Sequence, residues 1–223
     1  MNQTIHQPFV FLVDSPSHQD LFEGYSIGMA LRDALRAIRI PCFYTLATSK
    51  SNFETTLLHR LPDAIRQMQP SHNINSIPFV HLCMHGADMG VGLTDQSFLA
   101  WIELRNLLLT HKMVKGHDPY ICMASCNGFN ATNMATAFDP AFSALIGNTG
   151  AVLQSDVTVA YLSFYNHLFF KMANLDQAVI AMRQASGDQN FYYTFGEQVK
   201  NQKFSEMQSQ FVSNPWPNPQ PSW

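Results

Sequence analysis

Two apolar segments of this sequence each end in a residue that could take part in catalysis. Residues 77–84 lead directly into His85, which Gly86 follows, and residues 119–124 lead through Ser125 into Cys126. Apolar runs of this length predict buried β-strands. In an open parallel sheet, ligands bind at the carboxyl ends of the strands, so both residues are expected at one edge of the sheet. Because an imidazole can handle the proton of a cysteine nucleophile, the spacing predicts a Cys126–His85 dyad.

The other three cysteines are expected to be structural. Strand alternation places Cys83 on the same face as His85, and Cys122 on the same face as Cys126, but both lie within their strands rather than at the exits. Together with Cys42 they are assigned to the hydrophobic core, where free cysteines usually lie. Four cysteines in 223 residues are too few for a disulfide scaffold. Reduced thiols and a cytoplasmic location are therefore expected.

Strand-like and helix-like segments alternate along the chain. Buried strands are predicted at residues 9–13, 42–46, 77–84 and 119–124 and from residue 144, with amphipathic helices between them. A glycine-bearing loop is expected after Gly86, then a helix that carries Phe98, and a later helix that starts at Val157. This order predicts an α/β fold, a three-layer α/β/α sandwich with a mainly parallel central sheet. One domain is expected over residues 5–212, followed by a Pro-rich tail at residues 213–223.

The composition excludes several classes of function. Hydrophobic residues make up 46% of the chain and charged residues 13%, so the chain can bury a large core and is not intrinsically disordered. A net charge of −3 leaves no basic surface of the kind that binds nucleic acid. The apolar run at residues 9–13 is far shorter than the roughly 20 residues of a membrane span. The N-terminus lacks the cationic region of a signal peptide. Neither nucleic acid nor a membrane is expected as a partner.

The segments around the two candidate residues carry a pattern that extends beyond them. A buried strand that ends in His85 and a glycine, followed by a strand that ends in Ala-Ser-Cys-Asn-Gly at residues 124–128, resembles the caspase-like cysteine peptidases. That group includes caspases, metacaspases, separases and bacterial CHAT domains. The interval of 41 residues between His85 and Cys126 is of the right order, against roughly 50 in caspases. The resemblance covers residues 77–187, is closest to CHAT domains and implies a caspase-like fold.

The resemblance implies a cysteine endopeptidase that uses a Cys-His dyad and needs no cofactor. Cys126 would attack the scissile carbonyl, His85 would protonate the leaving amine, and the backbone N–H groups of Gly86 and Cys126 would form the oxyanion hole. Asp156 matches the acidic position with which separases bind a basic P1 side chain. Ala124 stands where caspases have the glutamine that helps to bind a P1 aspartate. Cleavage after basic residues is therefore expected.

The partners and the biological role follow from the resemblance alone. The substrate is expected to be a protein or peptide. A solitary domain of this kind implies control by a separate activating partner or a small-molecule signal, as in a bacterial defence or cell-death effector. The oligomeric state is left open.

Three alternatives stand beside these expectations. The fold could serve as a non-catalytic binding or scaffold module. Asp156 could cap a helix that starts at Val157 instead of binding substrate. Thiolate and imidazole are also preferred ligands of zinc, and four such groups lie on or beyond these strands: Cys83, His85, Cys122 and Cys126.

Overall fold

The computed structural model describes residues 5–71, 73–115 and 118–213 of the chain. Within these ranges a π-helical turn (Thr56–Arg60) joins the third and fourth helices, and a 3₁₀ helix (Gly128–Met134) follows the sixth strand. The elements in chain order are β1 (Ile5–Ser15), α1 (His18–Glu23), α2 (Ile27–Ala37), β2 (Cys42–Leu46), α3 (Lys50–Thr55), α4 (Leu61–Met68), β3 (Ile74–Ala87), β4 (Gly90–Gly92), β5 (Phe98–Ala100), α5 (Trp101–Lys115), β6 (Tyr120–Ala124), β7 (Ala144–Asn148), α6 (Gln154–Phe170), α7 (Leu175–Ser186), β8 (Phe191–Phe195) and α8 (Gly196–Ser213).

The main sheet has the strand order β2-β1-β3-β6-β7-β8. Its neighbouring strands are parallel except for β7 and β8, which pair antiparallel at one edge. β4 and β5 form a small antiparallel extension on the end of β3. Because the chain places β2 on one side of β1 and β3 on the other, the strand order reverses there. Such a reversal is where open α/β sheets bind their ligands.

Helices cover both faces of this sheet and enclose two separate cores. One core packs α2, α6 and α7 against one face, and the other packs α3, α4 and α5 against the opposite face. In β1, Val10 and Leu12 belong to the first core, whereas Phe9, Phe11 and Val13 belong to the second. A strand buried on both faces has a continuous apolar sequence rather than an alternating one. The predicted α/β/α sandwich with a mainly parallel central sheet is confirmed.

Polar caps mark the starts of two helices that cover the same face. The Ser26 hydroxyl accepts a hydrogen bond of 2.9 Å from the Met29 N–H at the start of α2. At the start of α7, Asn174 and Gln177 form a reciprocal capping box. α7 ends at Gly187, whose φ of 78° is a left-handed conformation that glycine adopts without strain.

Several local predictions are wrong. Part of the expected glycine loop is strand β4, where Gly90 lies so close to its partner strand that a β-carbon would sit 2.2 Å from the Leu99 carbonyl oxygen. Phe98 belongs to β5, because the following helix begins only at Trp101. α6 starts at Gln154, three residues earlier than expected. The sequence analysis also missed α1, β8, α8 and the 3₁₀ helix after β6.

Two expectations concern the limits of the fold. The Pro-rich tail lies outside the described residues from position 214 onward. Across the part of the chain that the structure describes, no helix combines the length and the apolar character needed to cross a membrane.

Candidate active site

A cavity of about 200 Å³ opens at the carboxyl ends of β1, β3 and β6, and both His85 and Cys126 line it. Cys83 pairs with Ala124 across β3 and β6. His85 lies two residues after Cys83, and Cys126 lies two residues after Ala124. The two candidate residues therefore lie at matching positions beyond the pairing of these neighbouring strands. His85 is exposed and Cys126 is half-buried. The structure thus brings the two residues into one cavity, and their catalytic roles stay a prediction.

The backbone of Gly86 lies directly against that of Cys126. A β-carbon at position 86 would sit 1.8 Å from the Cys126 carbonyl oxygen and 3.0 Å from the Ser125 hydroxyl oxygen. A glycine allows this close approach because it has no side chain. The two residues expected to form the oxyanion hole are therefore adjacent, and any side chain at position 86 would displace one from the other.

Cys126 stands at the start of a tight turn that follows β6. Asn127 adopts a left-handed conformation with a φ of 51°, which asparagine tolerates better than most residues. Its N–H donates to the carbonyl of Gly150 at 2.8 Å, and the N–H of Gly128 donates to the carbonyl of Ser125 at 3.2 Å. These hydrogen bonds tie the turn to the segment after β7 and hold Cys126 at the cavity wall.

The four thiols of the chain have different environments. The Cys126 thiol donates to the carbonyl oxygen of Val152, with the sulfur 3.8 Å from that oxygen. Burial raises the pKa of Cys42 and of Cys122 to about 12, and it raises the pKa of Cys83 well above its usual value. These three thiols stay protonated at neutral pH, as expected for packing residues. Cys83 and Cys122 are fully buried, and Cys42 is half-buried against the same core.

The extension formed by β4 and β5 positions His85, which pairs with Gly92. The Trp101 indole N–H donates to the Asp88 carbonyl at 2.8 Å, and the Asn130 amide donates to the Asp88 carboxylate at 3.3 Å. Since Asn130 belongs to the 3₁₀ helix after β6, these bonds connect the histidine segment to the cysteine segment. Among the described residues no hydrogen bond reaches the His85 ring, so the geometry identifies no acidic third member.

The same cavity is lined by two carboxylates that the sequence analysis did not single out. The first is Asp14, at the end of β1. Asp14 is 1% exposed and accepts hydrogen bonds from the hydroxyls of Ser26 and Tyr44, the latter at 2.8 Å. Burial raises the pKa of Asp14, while these hydroxyls and the Gly28 N–H oppose that rise. A β-carbon at position 28 would lie 2.5 Å from the Asp14 carboxyl carbon. Glycine there leaves room for the buried carboxylate.

The second carboxylate is Asp20, which is half-buried in α1. Its N–H donates to the Ser17 hydroxyl oxygen at 2.9 Å, and that hydroxyl donates to Asp20 Oδ2 at 2.7 Å. The Gln154 amide lies 3.5 Å from the same oxygen. The Ser-x-x-Asp spacing is a helix-start signal in the sequence, but only the fold shows that α1 lies beside Cys126. No lysine or arginine among the described residues lines this cavity, so its two carboxylates face no permanent positive charge within it.

Asp156 does not line the cavity, although its neighbours Gln154 and Val157 do. It lies in the first turn of α6, where its carboxylate accepts a hydrogen bond from the Ser155 hydroxyl at 3.3 Å. The N-cap of α6 is Leu153, without a side-chain cap. The capping alternative is therefore wrong, because the helix begins before Asp156. Binding of a basic P1 side chain by Asp156 stays a prediction without a contact to the cavity.

One buried polar group of the cavity wall lacks a partner. Ser125 is 4% exposed and lines the cavity, yet its hydroxyl makes no hydrogen bond to any described residue. Leaving a buried hydroxyl unpaired typically costs about 1–3 kcal/mol. Such groups in native proteins usually have an explanation, and a bound water or ligand is a common one.

The zinc alternative finds no support in the described residues. They contain no group of three or more His, Cys, Asp or Glu side chains that could hold a metal ion. Cys83 and Cys122 are buried inside β3 and β6, whereas His85 and Cys126 lie beyond the strand pairing. The four proposed ligands therefore do not converge on one point.

Comparisons with known proteins relate the chain to others through its fold. No protein-family model matches the chain, and no curated protein matches it. Among solved structures, it is similar to the X-ray structure of iotapain, a secreted C11 cysteine protease from Bacteroides thetaiotaomicron, with a TM-score of 0.56 and 10% sequence identity. The match covers 89% of this chain and 69% of that chain. At this identity the likeness shows the fold, which this chain shares with a cysteine protease, while the closer resemblance to CHAT domains stays a prediction.

Proposed function

We propose that this chain is a cysteine endopeptidase in which Cys126 is the nucleophile and His85 is the proton-transfer partner. One observation carries the proposal: the thiol and the imidazole line one cavity at the point where the strand order reverses. The fold shared with a C11 cysteine protease supports it. The other three thiols are held protonated by burial, which leaves Cys126 as the thiol suited to nucleophilic attack.

The proposed reaction has two stages. His85 takes the proton of the Cys126 thiol as the sulfur attacks the scissile carbonyl carbon. The negative charge that develops on the carbonyl oxygen is held by the N–H groups of Gly86 and Cys126. Collapse of this intermediate breaks the C–N bond, and His85 gives its proton to the departing amine. A water molecule then attacks the thioester carbon while His85 accepts a proton from the water. The C–S bond breaks, the carboxylic acid product leaves, and His85 returns the proton to the Cys126 sulfur.

We also propose that the P1 side chain is basic. Asp14 and Asp20 line the cavity, and no described lysine or arginine faces them there, so the charge of the cavity favours a cation. Ala124 also lines the cavity and offers no side-chain group that would bind a P1 carboxylate. The resemblance to separases implies Asp156 as the counter-charge, although Asp156 does not line the cavity.

The wider setting of the proposal rests on resemblance. A protein or peptide substrate, control by a partner or small-molecule signal, a cytoplasmic location and a role in bacterial defence or cell death belong to it. The non-catalytic scaffold alternative makes the opposite prediction about chemistry, because it requires neither a reactive thiol nor a basic partner.

A cleavage assay with a peptide library varied at P1 tests the proposal. Cys126→Ala and His85→Ala should each lower the cleavage rate by about a thousandfold or more, and the double variant should be no worse than either single variant. Matched controls are Cys42→Ala and His59→Ala, which remove a thiol and an imidazole outside the cavity. Wild-type rates in Cys126→Ala, or a double variant far worse than both singles, would contradict a shared dyad.

A further inference from the structure

We infer that Asp20, rather than Asp156, binds the positive charge of the substrate's P1 side chain, an inference that rests on the proposed function. Asp20 lines the cavity that holds Cys126 and His85, and Asp156 does not. Asp20 is carried by α1, a six-residue helix between β1 and α2 that has no buried residue. The segment therefore lies beside the cavity without contributing a buried side chain to the hydrophobic core.

The contacts of Asp20 orient its carboxylate and leave part of it open. The Ser17 hydroxyl and the Gln154 amide both approach Oδ2, at 2.7 and 3.5 Å. Among the described residues, no hydrogen bond reaches Oδ1. A carboxylate with one oxygen fixed and the other open can accept a hydrogen bond from a guanidinium or ammonium group.

Asp14, the other carboxylate of the cavity, is already compensated by the protein. Its carboxylate accepts from Ser26 and Tyr44, and the N–H of Gly28 gives it a further hydrogen bond. The positive charge of Arg32, whose guanidinium lies 5.0 Å from the centre of the Tyr44 ring, also acts on it. Asp14 therefore serves mainly to hold β1, β2 and α2 together, and Asp20 remains as the accessible negative charge.

Ser125 is a further polar residue of the cavity wall. Its hydroxyl is buried and unpartnered, and the residue lines the cavity directly before Cys126. A hydroxyl can accept a hydrogen bond from a cationic N–H group or donate one to a carbonyl. A substrate group that reached this hydroxyl would supply the hydrogen bond that the described residues do not give it.

The test measures protection of Cys126 from alkylation and so does not require peptidase activity. Benzamidine, a small amidinium cation, competes with iodoacetamide for access to the cavity, and benzamide is its uncharged counterpart. Mass spectrometry of the peptide that contains Cys126 gives the alkylation rate at each benzamidine concentration. The wild-type chain should be protected by benzamidine and not by benzamide.

The variants separate the two carboxylates. Asp20→Asn keeps the shape of the side chain and should weaken benzamidine protection by about tenfold or more, while Asp20→Glu should retain part of it. Asp156→Asn should leave protection unchanged, and so should Asp176→Asn, which removes an exposed acid from the first turn of α7. Circular dichroism and the melting temperature establish that each variant is folded.

Two results would overturn the inference: full protection in Asp20→Asn, or loss of protection in Asp156→Asn. Equal protection by benzamide would overturn it as well, since charge would then play no part. A failure of the proposed function is distinguishable from all of these. In that case Cys126→Ala would leave peptide cleavage unchanged, or no peptide would be cleaved, while protection by benzamidine would still follow Asp20.

Discussion

Replacing Gly86 by alanine should disrupt the proposed chemistry while leaving the chain folded. The new β-carbon would lie 1.8 Å from the Cys126 carbonyl oxygen, and real β-carbons essentially never approach within 3.0 Å. The two backbones must therefore separate by at least 1.2 Å, the difference between those two distances. A displacement of about 1 Å at reacting groups can lower a rate by about a hundredfold, or about 2.7 kcal/mol of transition-state stabilisation.

Gly92→Ala is the matched control, because Gly92 pairs with His85 in the same extension. Its added β-carbon would lie 3.8 Å from the His85 β-carbon, an ordinary contact. Initial cleavage rates on a peptide with arginine at P1 should therefore fall about a hundredfold in Gly86→Ala and stay near wild type in Gly92→Ala. Thermal unfolding should show a loss of about 1–3 kcal/mol for Gly86→Ala, the usual effect of overpacking. Equal rates in the two variants would refute the argument that this backbone contact places the oxyanion-binding N–H groups.

Two further predictions concern buried groups and the candidate thiol. At neutral pH iodoacetamide should modify Cys126 first, because burial keeps the other three thiols protonated. Mass spectrometry of the partly alkylated protein measures the order, and early labelling of Cys83, which also lines the cavity, would contradict this prediction. Burial lowers the pKa of His81 from 6.5 to about 3, so the unfolded state binds more protons below pH 6.5 and stability falls as the pH decreases. Denaturant unfolding between pH 6.5 and 4.5 should show a loss of about 2.3 kcal/mol from this residue, which His81→Gln should lack. Parallel pH profiles of the two proteins would refute this prediction.

The strands that carry the candidate dyad could be predicted because their signals are local. The run before His85 and the run before Cys126 are apolar on both faces, as strands at the centre of a parallel sheet must be. The positions of Cys83 and Cys122 within these strands predict that both are buried, and the structure places both in the hydrophobic core. Each of these inferences needs only a few consecutive residues.

The carboxylates of the cavity could not be predicted in the same way, since they depend on the strand order. Asp14 reaches the cavity only because β1 lies beside β3, and Asp20 only because α1 lies next to the same end of the sheet. The start of α6 was misplaced for a different reason. Its N-cap is Leu153, which offers no polar side chain, so the usual capping signal is absent from the sequence.

The sheet itself distinguishes between two thiols that share a face and a cavity. Cys83 lies within the pairing of β3 and β6, where the absence of water raises the pKa of its thiol. Cys126 lies two residues beyond the matching position on β6, where the pairing ends and the chain turns toward Gly150. The first can pack but not ionise at neutral pH, whereas the second is half-buried and faces a cavity that also holds an imidazole. Which cysteine can react is thus decided by where the strand pairing stops, and moving the nucleophile back to position 124 would place it in the buried environment of Cys83.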